Sequence, residues 1–143
     1  MIIFFINLRQ ILIYVEQNDP NRGCLLVASM SSEGNQLNAS SHQTAYKWSQ
    51  KYNDFVIGFI CQSRVSSDQS FIHMTPGVKI DSTGDGLGQQ YVTPKEAVLK
   101  RGADVIIVGR GITSAKQPEK EAKLYQTIGF EAYLTQISDR IDF

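Results

Sequence analysis

Asp104-Val105-Ile106-Ile107-Val108-Gly109-Arg110-Gly111, read with Thr75-Pro76-Gly77-Val78 earlier in the chain, decides how this sequence folds. Each closes an apolar run, rich in β-branched residues in the first, at Gly or Pro. A buried parallel strand looks this way when its C-terminal end delivers backbone to a ligand. Gly109 and Gly111 leave the neighbouring amides unshielded, and Arg110 sets a guanidinium fork between them. A planar cation beside exposed N–H groups suits a phosphate.

Working outward, the chain alternates strands and helices from residue 21 onward. Strands are predicted over 24–30 (CLLVASM), 55–61 (FVIGFIC), 71–78 (FIHMTPGV) and 104–109. A helix is predicted over 41–52, with Ala45, Trp48 and Tyr52 on one face and Trp48 as core between helix and sheet. A second helix opens at Thr93, with Pro94 in its first turn, and stops at Gly102. A third runs over 118–137, with Ala122, Tyr125, Ile128, Ala132 and Leu134 as its apolar stripe. Between strands two and three lies a polar loop carrying Arg64, which could place the neighbouring loop or simply face solvent. The Gly-rich segment 82–88 follows strand three. Alternating βα units imply a parallel sheet with right-handed crossovers. The phosphate-binding layout is that of the last strands of a (β/α)8 barrel, but a closed barrel takes about 250 residues. With 143 residues, the expectation is the C-terminal portion of such a barrel, about four βα units and incomplete.

Bulk properties narrow the function. Fourteen basic and fourteen acidic residues give a formal net charge of zero, so no basic footprint for nucleic acid or an anionic membrane exists. A hydrophobic content of 42% is that of a globular chain. Cys24 and Cys61 lack any metal-ligand spacing and are read as buried, reduced thiols, with no metal site. Residues 1–20 form an apolar segment set apart from 21–143. Asn7, Arg9 and Gln10 interrupt it, and it is shorter than the ~20 apolar residues needed to span a bilayer. Phe4, Leu8, Ile11, Leu12 and Val15 share one helical face, so an amphipathic, core-facing helix is expected, with a strand as the alternative. His42 and His73 have no partner at ligand spacing and are read as structural.

Five ordered segments then carry a resemblance: GCLLVASMSSEGN (23–35), FVIGFICQSRVS (55–66), HMTPGV (73–78), GDGLGQQY (84–91) and ADVIIVGRGI (103–112). From about residue 22 to 134 the chain resembles the C-terminal half of orotidine 5′-phosphate decarboxylase, in the form that ends eukaryotic UMP synthase. The resemblance implies cofactor-free decarboxylation of orotidine 5′-phosphate to UMP, in a cytoplasmic homodimer of (β/α)8 barrels. It also implies site roles. Ser31 would bond the pyrimidine edge, and Pro76 would lie beside the base. Gln89 would bridge base and phosphate, while Tyr91 would reach the phosphate through its hydroxyl. Gly109 and Arg110 would grip that phosphate by backbone N–H and guanidinium.

One departure stands out. The family's chemical centre is an Asp-x-Lys-x-x-Asp motif on earlier strands, and no such spacing occurs here. No catalytic residue is therefore assigned. The sequence supports a decarboxylase-family chain carrying the phosphate- and pyrimidine-binding half of the site. The alternative is a non-catalytic nucleotide-binding fragment, or a partner of a full-length subunit. A sugar-phosphate epimerase or synthase on the same barrel fits less well, because Ser31-Ser32 and Gly88-Gln89-Gln90-Tyr91 suit a pyrimidine monophosphate.

Overall fold

A computed structural model describes residues 22–32, 34, 37, 39–81 and 90–141. The N-terminal helix reading, the segment 82–88 and Gln89 lie outside the described residues. Four strands, β1 (Cys24–Val27), β2 (Val56–Ile60), β3 (Ile72–Thr75) and β4 (Val105–Ile106), form one sheet in the order β1-β2-β3-β4. Every pairing is parallel. Strands consecutive in sequence are neighbours in space, which is how βα units make a barrel wall.

Helix α1 (Ala39–Lys51) crosses from β1 to β2. Its Ala45 and Trp48 pack on Leu26, Val56, Phe59 and Phe71, the first of two core clusters. No helix joins β2 to β3. There the loop is held instead by Arg64, whose guanidinium donates to the carbonyls of Ser66 and Gly102 and pairs with Asp104 at 3.2 Å. Arg64 is thus a loop-placing residue. Before β4 the chain makes one irregular helix. The Thr93 hydroxyl accepts from the Glu96 N–H at 3.2 Å, capping the helix at the start that the sequence indicated. The segment Glu96–Lys100 then widens into a π turn, closed by Arg101 N–H on the Glu96 carbonyl. Gly102, at φ 72°, ends it where a C-terminal glycine was expected. After β4 come α2 (Arg110–Thr113) and the long α3 (Pro118–Ile141).

Several boundaries differ from the sequence reading. β1 stops at Val27 because the N–H groups of Ala28 and Ser29 both turn to the Ile60 carbonyl, ending the ladder. β4 is only two residues long, flanked by Asp104 N–H on His73 and Ile107 N–H on Thr75. On α3, Tyr125 and Ala132 are buried, but Leu134 is 44% exposed. Two positions beyond Ala132, it falls off the face that the i, i+3, i+4 spacing defines. Cys24 is half-buried rather than buried, while Cys61 is buried; both are free thiols.

The two sheet faces are covered unequally. Leu26, Phe59 and His73 share one face by register, and all are buried. The opposite face carries Val27, Ile60, Met74 and Val105 in one row, with Ile72 beside it. Ile72 is 41% and Val105 39% exposed there. The buried-strand reading presumed cover on both faces; among the described residues only the helix side has it. In a closed barrel the other face is the interior, filled by side chains from every strand.

Candidate functional site

The site residues gather beyond the C-terminal ends of the strands, where a parallel barrel binds its ligands. Ser31 follows β1, Pro76 and Gly77 follow β3, and Gly109 and Arg110 follow β4. Chain returning from the segment 82–89 ties these ends together. Gln90 N–H donates to the Ser31 carbonyl at 3.0 Å. Two residues on, Val92 forms a parallel bridge with Val78. Val92 N–H donates to the Gly77 carbonyl at 3.0 Å, and Lys79 N–H donates to the Val92 carbonyl at 2.9 Å. Gly77 takes φ 73°, a left-handed turn that a side chain would strain.

Tyr91, between those anchors, meets Arg110. The guanidinium carbon lies 5.9 Å from the centre of the Tyr91 ring. From the other side of the bridge, Lys79 Nζ lies 5.3 Å from the same centre. A guanidinium and an ammonium therefore both stand against one phenol ring, and exposed Gly109 directly precedes the arginine. That set can hold a dianion by charge and by hydrogen bonds.

The second core cluster fixes this arrangement from below. Buried Tyr125 packs with Val78, Val92, Ala97 and Ala103. Its hydroxyl accepts from the Ile80 N–H at 3.0 Å, joining α3 to the chain after β3. Gly111 sits directly over it: a Cβ there would lie 2.3 Å from the Tyr125 hydroxyl. The second glycine of Gly109-Arg110-Gly111 is thus a close-approach residue, and it seats Arg110 at the start of α2.

Gln62 laces three strand ends. Its N–H donates to Ser29 Oγ at 2.8 Å, and its side-chain amide donates to the Pro76 carbonyl at 2.9 Å. Its amide oxygen accepts from Arg101 at 2.9 Å, and Arg101 in turn grips Glu96 at 2.8 Å. The sequence reading put Tyr125 on the apolar stripe of the last helix without a site role, and did not single out Gln62 or Lys79. The one available hint was a polar side chain standing directly after an apolar strand at Gln62.

Other groups belong to the framework. His73 is 1% exposed. Its Nε2 accepts from the Ser66 N–H at 3.2 Å, which places the ring proton on Nδ1, 3.4 Å from Asp104 Oδ2 but without hydrogen-bond geometry. Burial, aided by the Arg64 charge, holds its pKa below the ordinary histidine value against the pull of Asp104. Burial also pushes the Cys61 thiol up to about 12, so it is no nucleophile at neutral pH. Among the described residues, no helix is long and apolar enough to cross a membrane.

Comparison with known proteins gives the family and the fold. The model of the orotidine 5′-phosphate decarboxylase / HUMPS family matches residues 7–125. The chain belongs to the orotidine 5′-phosphate decarboxylase family. The match begins ahead of the first of the five motifs, so the likeness extends into the N-terminal segment. Uridine 5′-monophosphate synthase of Bos taurus is 47% identical over 118 residues, covering 82% of this chain and 25% of that protein. Orotidine 5′-phosphate decarboxylase of Schizosaccharomyces pombe is 45% identical over 119 residues, covering 82% of this chain and 45% of that one. The chain thus spans less than half the length of these relatives. Among solved structures, orotidine 5′-monophosphate decarboxylase of Sulfolobus solfataricus superposes with a TM-score of 0.63 at 20% identity. That alignment covers 88% of this chain and 56% of the other. The fold is accordingly about half of the decarboxylase barrel, its sheet and helices in family order.

Proposed function

We propose that this chain serves the decarboxylation of orotidine 5′-phosphate to UMP and carbon dioxide, and that it carries the phosphate- and pyrimidine-binding half of that site. The observation supporting this is the chain of contacts from Ser31 through Gln90 and Tyr91 to Arg110. It joins the β1 end, which would bind the base, to the β4 end, which would bind the phosphate. Ser31 would meet the pyrimidine edge, with Pro76 beside the base. Tyr91, Gly109 and Arg110 would hold the phosphate, and Gln89 would span the two. A phosphate gripped far from the reacting carbon supplies binding energy that acts in the transition state.

The 143 residues contain no Asp-x-Lys-x-x-Asp motif, and on this reading the protonating lysine is supplied from elsewhere. A homodimer in the cytoplasm is the assembly the family suggests. The test is calorimetry with UMP, with loss of orotidine 5′-phosphate absorbance followed on the same sample. UMP binding without turnover, abolished in Arg110→Ala, is the expected result. Turnover would mean that the chemistry resides within these residues. Absence of UMP binding would refute the reading. The second reading, a nucleotide-binding partner of a full-length subunit, predicts that turnover appears only when such a subunit is added.

A further inference from the structure

The rim holds one more cation than the family resemblance assigns. Val78 and Val92 face each other across their bridge, 1% and 5% exposed, and both point into the cluster around Tyr125. Side chains alternate along extended chain, so Lys79 on one side, and Tyr91 on the other, point away from that core toward the rim. Lys79, anchored by its own N–H on Val92, lays its ammonium 5.3 Å from the ring centre, where Arg110 already stands at 5.9 Å.

An aromatic face attracts each cation singly. Two cations at one ring repel each other, and a dianion placed with them relieves that repulsion while accepting hydrogen bonds from both. The ion pairs seen among the described residues, Arg64–Asp104 and Arg101–Glu96, do not occupy Lys79.

We propose that Lys79 is a second phosphate-binding cation of this rim, acting beside Arg110 on the 5′-phosphate of a pyrimidine nucleoside monophosphate; the choice of ligand rests on the function proposed above. Lys79 makes the site more strongly dianion-selective than one guanidinium and one phenol would be. The structural alternative is that its aliphatic stem merely covers the Tyr91 ring. Lys79→Met keeps that stem and removes the charge, which separates the two ideas.

The experiment titrates the 143-residue chain, Lys79→Met, Lys79→Arg and Arg110→Ala with UMP and with inorganic phosphate, with a thermal midpoint recorded for each. Lys79→Met should weaken UMP about tenfold, the scale of one charge-assisted hydrogen bond. Lys79→Arg should recover most of the loss, and the salt dependence of binding should be shallower in Lys79→Met. Should the Met variant melt below the wild type, Lys79→Gln makes the same comparison. Wild-type affinity in Lys79→Met, with binding lost in Arg110→Ala, would overturn the role of Lys79 and leave the nucleotide reading intact. Phosphate binding that depends on Lys79, without any UMP binding, would keep Lys79 as an anion contact and overturn the nucleotide. Binding of neither probe to the wild type would overturn both.

Discussion

His73 shows how a single buried group sets the response of the molecule to acid. Its ring is packed 5.3 Å from that of Phe59, and its Nε2 holds the Ser66 N–H only while unprotonated. Burial keeps its folded pKa below the ordinary histidine value of about 6.5. Below that pH the unfolded chain takes up a proton that the folded chain resists until its own lower pKa is reached. Stability from this group is therefore complete above about pH 6.5 and declines as pH falls through the interval beneath it. The thermal midpoint should drop between pH 7 and pH 5. His73→Gln, which keeps an acceptor for Ser66, should flatten that slope. Equal slopes in the two proteins would show that other groups govern the acid response.

At the scale of elements, Gln62 ties the strand ends together. Its backbone N–H reaches Ser29 after β1, and its side chain spans Pro76 after β3 and Arg101 before β4. Gln62→Ala leaves the Pro76 carbonyl and the Arg101 guanidinium without that partner and should cost about 1–2 kcal/mol of stability. It should also weaken UMP binding, because Pro76 and Gly77 lose their tether; unchanged urea midpoints would contradict this. The strands themselves were legible in the sequence, since apolar β-branched runs ending at Gly or Pro have few other uses. The motifs also named Arg110 and Tyr91, which the structure brings to one another. The spacing of the last helix gave the burial of Tyr125, but neither Gln62 nor the partner of the Tyr125 hydroxyl was legible. The Tyr125 hydroxyl serves a backbone amide 45 residues away, and no local pattern encodes such a partner. The four-residue α2 was missed because Arg110–Thr113 holds too few residues to show a period. Leu134 was misread because the spacing of α3 was judged by composition rather than by angle.

For the molecule as a whole, the open sheet is the dominant fact. Among the described strands, β1 and β4 each pair on one side only. The Ile72 and Val105 face is uncovered, and an apolar groove of about 590 Å³ lined by Val105, Val108, Phe130 and Tyr133 runs between the β4 edge and α3. Unpaired edges template pairing with another chain. The purified 143-residue chain should therefore sediment as dimers or larger species at micromolar concentration. A monomer that unfolds cooperatively would show that residues of the chain itself close those edges.

The division of the interior into two clusters has a practical consequence for watching this protein unfold. Trp48 is the lone tryptophan, and it packs in the cluster of β1, β2 and α1. Tyr125, with Val78 and Val92, belongs to the other cluster. Indole emission thus reports on the β1 end of the sheet and is blind to the end where a phosphate would sit. If the two ends melt as separate cooperative units, fluorescence and ellipticity traces will not superimpose. Inorganic phosphate would then shift only the transition that the tryptophan does not see.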